Sequence, residues 1–261
     1  MVGIVVGIIL LGIGGFLEYR RKKGLERVID IKYQETTPIA DVLDTYKSIT
    51  ASLGEGNYAE TVELKGVAQA IQPLKAPHSG KEAVYYKAQI IRKYEYRAEE
   101  KDSNGQIRHV DRQSTEVVFS DEQQMLFSLE DGSGLPISID ISGAKKYTQK
   151  TIDKFVTKLP EEAHSFVKVA KGDTKTLGYT YKEEIIPIDI RLYVLGEASD
   201  RKGELTVAKP TNTQQTFIVS VKSEEELIGS LEGGAKNLLI GFIIVGVLGL
   251  ISLIWGVIDL L

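Results

Sequence analysis

Hydrophobic residues are concentrated at the two ends of the 261-residue chain. Residues 238–258 form an uncharged run of 21 residues. A helix of that length spans about 30 Å, the thickness of the hydrocarbon core of a bilayer. Residues 2–17 form a second run of 16 residues without any polar side chain. The pattern predicts two transmembrane helices, 2–17 and 238–258.

A cleaved signal peptide is the alternative interpretation of the first run. It requires basic residues ahead of the apolar run and a small-residue cleavage site behind it. No basic residue precedes Val2, and the segment "GGFLEYRRKK" lacks such a site. An uncleaved anchor therefore fits the residues better.

Glycines at helical spacing are frequent in both runs. Small residues let transmembrane helices approach closely, so the two predicted spans are expected to pack together or to mediate self-association. The candidate packing positions are Gly3, Gly7, Gly246 and Gly249.

The charges beside the predicted spans bear on orientation. The basic cluster "YRRKK", residues 19–23, directly follows the first span. The positive-inside rule places such clusters on the cytoplasmic side. We expect an integral protein of the cell membrane with two spans, in contact with lipid. Its central domain is expected to face the cytoplasm, and the extracytoplasmic side is the alternative.

The residues between the spans divide into a juxtamembrane segment, 18–36, and one domain, 37–232. Thr37 as N-cap and Pro38 as first helical residue predict a short helix with an apolar face. Ser223 and Glu226 form a capping-box pattern for another helix. Gly233 and Gly234 are expected to form a hinge between that helix and the second span.

Most of the central domain alternates with a period of two, which is typical of strands. The clearest case runs from Ile186 to Val194, Asp102–Gln106 predicts a hairpin turn, and Gly66 predicts a bulge. Ile152, Phe155, Val156 and Leu159 instead follow helical spacing and predict a short helix ended by Pro160. We expect about eight strands in a mainly β (α+β) fold: a single barrel-like antiparallel domain with short peripheral helices, flanked by the two transmembrane helices.

Composition and motifs exclude several classes of chemistry. The formal net charge of −4 does not suggest a nucleic-acid partner. The absence of cysteine removes disulfides, thiolate nucleophiles and cysteine-ligated zinc. His78, His109 and His164 show no metal-ligand spacing. We therefore predict no catalytic residues, no metal site and no cofactor.

Three features remain candidates for recognition. Pro77, Ser79, Gly80 and Lys81 form a loop that is expected to bind a partner or an anion, or to be only a turn entering the barrel. Residues 131–134, "DGSG", are consistent with a hairpin turn or an anion-binding nest. Five strand tyrosines supply either core packing or a recognition face: Tyr85, Tyr94, Tyr96, Tyr179 and Tyr181.

Four segments of the chain resemble a known family. They are "PLKAPHSGKEAVYYKAQI", "FSLEDGSGLPISID", "YTYKEEIIPIDIRLYVLGEA" and "TFIVSVKSEEEL". In this order they resemble the GIDE, or BAM (beside-a-membrane), domain of the mitochondrial ubiquitin ligase activator family. The resemblance runs from about Gly66 to Leu227 and implies a layout of span, domain and span.

The resemblance also sets an expectation about activity. Eukaryotic members of that family carry a zinc-binding RING finger after the second span, whereas this sequence ends at Leu261 and contains no cysteine. We expect a prokaryotic-type member without a RING, acting as a membrane-anchored scaffold or regulatory module that recruits membrane or membrane-proximal proteins. The alternatives are an accessory component of a ubiquitin-ligase-like system and lipid or small-ligand binding inside the barrel.

Overall fold

A computed structural model describes residues 2–101, 105–159 and 174–259. Its helices are α1 (Val2–Tyr33), α2 (Ile39–Leu53) and α3 (Glu224–Ile258). Its strands are β1 (Ala59–Gln69), β2 (Leu74–Lys75), β3 (Glu82–Lys101), β4 (Ile107–Gln124), β5 (Phe127–Glu130), β6 (Ile137–Ile139), β7 (Lys145–Tyr147), β8 (Gln149–Val156), β9 (Thr174–Pro187), β10 (Arg191–Ser199), β11 (Thr206–Ala208) and β12 (Ile218–Ser220). The described residues thus hold more strands than the eight expected.

Two of the helices, α1 and α3, are long and apolar enough to cross a membrane. α1 does not end at Leu17 but continues through the expected juxtamembrane segment to Tyr33. α3 begins at the predicted capping box, in which the Ser223 hydroxyl accepts from the N–H of Glu226 and the Glu226 carboxylate accepts from the N–H of Ser223. The hinge predicted at Gly233 and Gly234 is wrong, since α3 passes through both residues without a break.

The strands form a barrel and a separate open sheet. Strands β1, β5, β6, β11 and β10 pair in that order, and β10 pairs with β1 to close the barrel. β12 joins β10, and β7 joins β12. The α+β, barrel-like fold expected from the pattern is confirmed, although two pairings, β6 with β11 and β7 with β12, are parallel.

The open sheet is built on the hairpin of β3 and β4. The two strands contain 20 and 18 residues and are antiparallel up to the pair Lys101 and Ile107. β9 pairs along the other edge of β3, and β8 pairs with β9. The predicted hairpin turn, Asp102–Gln106, falls between these two strands, and its residues 102–104 lie outside the described residues.

Three local predictions differ from the structure. Ile152–Val156 lies in strand β8 and not in a helix, because this segment pairs along β9. The alternation from Ile186 to Val194 belongs to two strands in different sheets, which are separated by Asp189 at φ 58°. β1 pairs with β10 in continuous register through Gly66, so this glycine forms no bulge.

Gly66 instead allows a close approach between neighbouring strands. A Cβ at this position would lie 2.7 Å from the carbonyl oxygen of Glu130 in β5. No larger residue fits without moving one of the two strands. The glycine therefore helps to bring β1 and β5 together where the barrel closes.

The barrel interior is a packed hydrophobic core. Inward-facing residues of all its strands contact one another, among them Leu64, Leu129, Ile139, Val194 and Val207. The same cluster reaches α2 and the ends of β3 and β9 nearest the barrel. Side chains therefore occupy the space inside the barrel that the alternative of small-ligand binding would need.

Candidate functional site

The candidate loop at Pro77–Lys81 connects β2 to β3 as a tight turn. The N–H of Gly80 donates to the carbonyl of Ala76 at 2.8 Å, and the N–H of Ala76 donates to the carbonyl of Lys81 at 3.0 Å. Gly80 has φ 68°, a conformation that glycine adopts without strain. The side chains of Pro77 and Lys81 are exposed.

Glu183 of β9 fixes the backbone of this loop from below. Its Oε2 accepts from the N–H groups of His78 and Ser79 at 2.7 and 3.2 Å, and its Oε1 accepts from the Thr151 hydroxyl at 2.7 Å. Burial alone would raise the pKa of the Glu183 carboxyl, but these hydrogen bonds outweigh burial and lower it. A carboxylate of the chain thus already uses the N–H groups that an external anion would need.

The three histidines lie in unrelated places. The His78 ring packs near Tyr181 and Phe119, with centroid distances of 5.1 and 5.7 Å, and burial lowers the pKa of its imidazole. His109 is exposed on β4, and His164 lies outside the described residues. Within the described ranges, no group of three potential ligands is placed to hold a metal ion.

Residues 131–134 form the turn between β5 and β6. The N–H groups of Gly132 and Gly134 donate to Oε1 of Glu130 at 2.7 and 2.8 Å. As at the first loop, an internal carboxylate occupies the backbone donors. Of the two interpretations, the hairpin turn is the one that this geometry supports.

The five strand tyrosines do not form an exposed face. Tyr85 is buried with its hydroxyl donating to Glu122 at 2.8 Å, and Tyr179 is buried beside β8. Tyr94, Tyr96 and Tyr181 are half-buried. Core packing accounts for Tyr85 and Tyr179, whereas the hydroxyl of Tyr181 is buried without a hydrogen-bond partner among the described residues.

α1 and α3 pack antiparallel along their apolar halves. A Cβ on Gly3 would lie 2.9 Å from Cα of Gly256, and one on Gly7 would lie 2.5 Å from Cγ of Leu253. A Cβ on Gly249 would lie 3.2 Å from Cβ of Leu10, whereas nothing lies within 4 Å of a Cβ on Gly246. Three of the four candidate positions therefore lie at the contact between the helices.

Gly256, another glycine of the second apolar run, also lies at this contact, and Ser252 is the contact residue that the sequence pattern missed. The Ser252 hydroxyl donates to the carbonyl of Gly3 at 2.8 Å. A Cβ on Gly256 would lie 2.5 Å from the backbone nitrogen of Ile4. The repetition of Gly249 and Gly256 at a seven-residue interval is a signal that could have identified this face.

The polar ends of the same two helices pack against the outer face of the barrel. Ile31 of α1 and Leu227 of α3 are fully buried in a cluster with Tyr193, Leu195 and Ile218 of the barrel. Beyond the cluster, Nζ of Lys32 lies 2.7 Å from Oε1 of Glu232 and links the helices to each other. The two helices and the barrel therefore meet in one apolar contact.

A buried carboxylate completes this junction. Glu63 of β1 is fully buried and accepts from the hydroxyls of Tyr193 at 2.8 Å and Thr36 at 2.6 Å. Nζ of Lys65 lies 3.3 Å from Glu63 and 2.6 Å from Glu224, the first residue of α3. One network therefore joins β1, β10, the segment after α1 and the start of α3.

These features define a β-barrel domain built directly onto a pair of long apolar helices. The chain belongs to the GIDE family: the family model described as E3 Ubiquitin ligase matches residues 95–255, more than half of the sequence. The match starts within β3 and ends within α3, so it covers three of the four resembling segments and leaves out the one at residues 73–90. No curated protein and no solved structure matches the chain.

Proposed function

We propose that the chain is a membrane-anchored scaffold that holds its barrel beside the bilayer and recruits protein partners to a ubiquitin-ligase-related system. The observation that carries the proposal is that α1 and α3 continue without interruption from their apolar halves to Ile31 and Leu227, which pack against the outer face of the barrel. A flexible tether would let the barrel turn freely. A rigid one presents the same surface to every partner and confines both proteins to one membrane.

The turn at Pro77–Lys81 is the surface we propose for recruitment. Its backbone is fixed by Glu183, while Pro77, Gly80 and Lys81 are exposed. A preorganised loop loses little conformational entropy on binding, which favours affinity. We place the loop on the cytoplasmic side because of the basic cluster at residues 19–23.

The first experiment tests the anchor. If both helices are embedded in lipid, the protein is expected to stay in the membrane pellet after carbonate washing. A cysteine introduced at the exposed Ser52 reports the side, because the chain has no other cysteine. We expect protection from an impermeant thiol reagent in intact cells and labelling after lysis. Release by carbonate would contradict anchoring, and labelling in intact cells would reverse the orientation.

The second experiment tests recruitment. A photo-crosslinking residue at Lys81 is expected to trap one protein repeatedly from cells, and the same residue at the exposed Lys47 of α2 is the control. Crosslinking from Lys47 but not from Lys81 would place the recruitment surface elsewhere. If neither position traps a protein in any growth condition, the scaffold proposal loses its support.

An accessory role in ubiquitin transfer is the second candidate, and the description of the family model favours it. A RING finger uses cysteine thiolates to hold zinc, and none of the 261 residues is a cysteine. Transfer would therefore depend on a partner that supplies the zinc site. Adding the protein to a reconstituted reaction with such a partner should change the rate of transfer, and an unchanged rate would count against this role.

A further inference from the structure

A cleft of about 630 Å³ lies between α1 and the loops at one end of the barrel. One wall is a single face of α1, formed by Lys23, Glu26, Arg27 and Asp30 at helical spacing. The barrel contributes Lys145, Lys209 and the loop at residues 213–217. None of these residues belongs to the recruitment surface proposed at Pro77–Lys81.

The charges around the cleft are unbalanced. Four basic side chains face two carboxylates, and one of these, Asp30, already accepts the hydroxyl of Thr216. Across the residues that the structure describes, none of the four bases forms an ion pair with a carboxylate. Ammonium and guanidinium groups that line one cleft suit a phosphate group.

One of the lysines is positioned by the backbone beneath it. A Cβ on Gly143 would lie 3.1 Å from Cδ of Lys209, so the bare glycine leaves room for the lysine side chain to pass. Gly143 also has φ 79°, which favours glycine at this turn. The Lys209 side chain therefore passes over Gly143 where both residues line the cleft.

The cleft begins close to the expected membrane surface. Lys23 and Arg27 lie about 9 and 15 Å beyond Leu17, the last residue of the apolar run, at 1.5 Å per helical residue. The headgroup layer on each side of a bilayer is roughly 5 to 8 Å thick. The long side chain of Lys23 therefore reaches back to the headgroups, and Arg27 lies one helical turn farther from the hydrocarbon core.

We propose that this cleft binds the phosphate headgroup of an anionic membrane phospholipid. The proposal rests on the membrane anchoring proposed above. The shared chemistry is a phosphate bound by Lys23, Arg27, Lys145 and Lys209. The cleft begins at Lys23, whose side chain reaches the headgroup layer, and this favours a lipid as the source of the phosphate over a free anion. A bound lipid would fix the height of the barrel above the bilayer.

The test uses the full chain in detergent and short-chain lipids, with binding measured by native mass spectrometry. The ligands are short-chain phosphatidylglycerol, short-chain phosphatidylcholine and inorganic phosphate. The variant is Lys145→Glu with Lys209→Glu, both exposed in the free protein. The matched control, Lys154→Glu with Lys182→Glu, makes the same change of charge at exposed positions of the open sheet. Thermal unfolding verifies that each variant is folded.

We expect wild type and control to retain one phosphatidylglycerol in preference to phosphatidylcholine, and the cleft variant to bind it on the order of tenfold more weakly or worse. Equal binding by all three proteins, or no preference over phosphatidylcholine, would overturn the proposal. Inorganic phosphate that binds as tightly as phosphatidylglycerol would make this a site for a soluble anion. The assay needs no bilayer, so failure of anchoring in the carbonate experiment and failure of the cleft are read separately.

Discussion

Asp131 accepts a hydrogen bond from the backbone N–H of Ile39 through its Oδ2, over a distance of 2.8 Å. Ile39 is the first residue of α2, and Asp131 lies in the turn after β5. The N-cap residue of α2 is Pro38, and no side chain of its own segment caps the helix. Thr37, the N-cap predicted from the sequence, is therefore replaced by a residue that is distant in the chain.

This cap predicts a measurable loss in the variant Asp131→Asn. Asparagine keeps one acceptor oxygen where the carboxylate uses two, Oδ2 for the N–H of Ile39 and Oδ1 for the N–H of Ser133, so one of these hydrogen bonds is lost at a cost of about 1 kcal/mol. We expect a lower midpoint of thermal unfolding at neutral pH, with Asp111→Asn, an exposed position on β4, as the control. An equal loss in the control would mean that charge alone, and not the cap, is responsible.

The same cap predicts a dependence on pH. Burial opposes ionisation of Asp131, but hydrogen bonds from Ser133 and the N–H of Ile39 outweigh it and lower the pKa of its carboxyl. A lowered pKa in the folded state gives stability that is present above the unfolded value of about 3.9 and is lost as pH falls through the folded value. The difference in midpoint between wild type and Asp131→Asn should therefore shrink below about pH 4. A difference that stays constant down to pH 2 would contradict this assignment.

The buried carboxylate at the junction predicts a larger effect. Glu63→Ala removes the acceptor of Tyr193 and Thr36 and leaves a buried hydroxyl without a partner. We expect a loss of about 2 to 4 kcal/mol in the free energy of unfolding, and about half of that for Glu63→Gln, which keeps an acceptor oxygen. Denaturant unfolding in micelles measures both, with the exposed Glu35→Ala as the control. Equal losses for alanine and glutamine, which differ in volume, would show that the negative charge beside Lys65 matters and the retained acceptor oxygen does not.

The contact between the two long helices predicts a difference between two glycines of α1. Gly7→Leu places a side chain against Leu253 and the carbonyl of Gly249, whereas nothing lies within 4 Å of a Cβ on Gly12. Overpacking of this kind costs about 1 to 3 kcal/mol. We expect Gly7→Leu to lower the thermal midpoint and Gly12→Leu to leave it near that of wild type. The reverse order would mean that the outer face of α1 carries the essential contact.

The support under the Pro77–Lys81 turn predicts a local effect. Glu183→Ala leaves the N–H groups of His78 and Ser79 without their acceptor. We expect amide hydrogen exchange at these residues to accelerate by on the order of tenfold, since each lost bond to a charged group costs about 1.5 to 3 kcal/mol. The neighbouring Glu184→Ala is the control, because its carboxylate contacts only the exposed Thr148 hydroxyl in the described residues. Equal acceleration in both variants would point to a general loosening of β9.

Much of the architecture follows from local patterns. The alternation in β3 was predictable because burial on one face of a sheet imposes a period of two. The turn between β5 and β6 was predictable because the glycines of residues 131–134 favour a turn. The capping box of Ser223 and Glu226 was predictable because its donors and acceptors lie within four residues. The candidate loop at Pro77–Lys81 was found as a turn, but the carboxylate beneath it was not, since Glu183 is more than 100 residues away in the chain.

The wrong predictions share a physical cause. Ile152, Phe155 and Val156 match a helical face, yet pairing with β9 supplies backbone hydrogen bonds that outweigh this local preference. The alternation from Ile186 to Val194 continues across Asp189, where the chain turns from one sheet into the other. Periodicity records which residues are buried and does not record which element buries them.

By itself, the sequence determined the two apolar helices, the β-rich domain between them and the absence of cysteine chemistry, because each depends only on residue type and spacing. The tertiary structure alone decided where the barrel closes, how α1 and α3 pack against its outer face, and which carboxylates cap α2, support the loop and join the junction. These contacts bring together residues far apart in the chain. Their free energy comes from burial and from hydrogen bonds that exist only once the chain has folded.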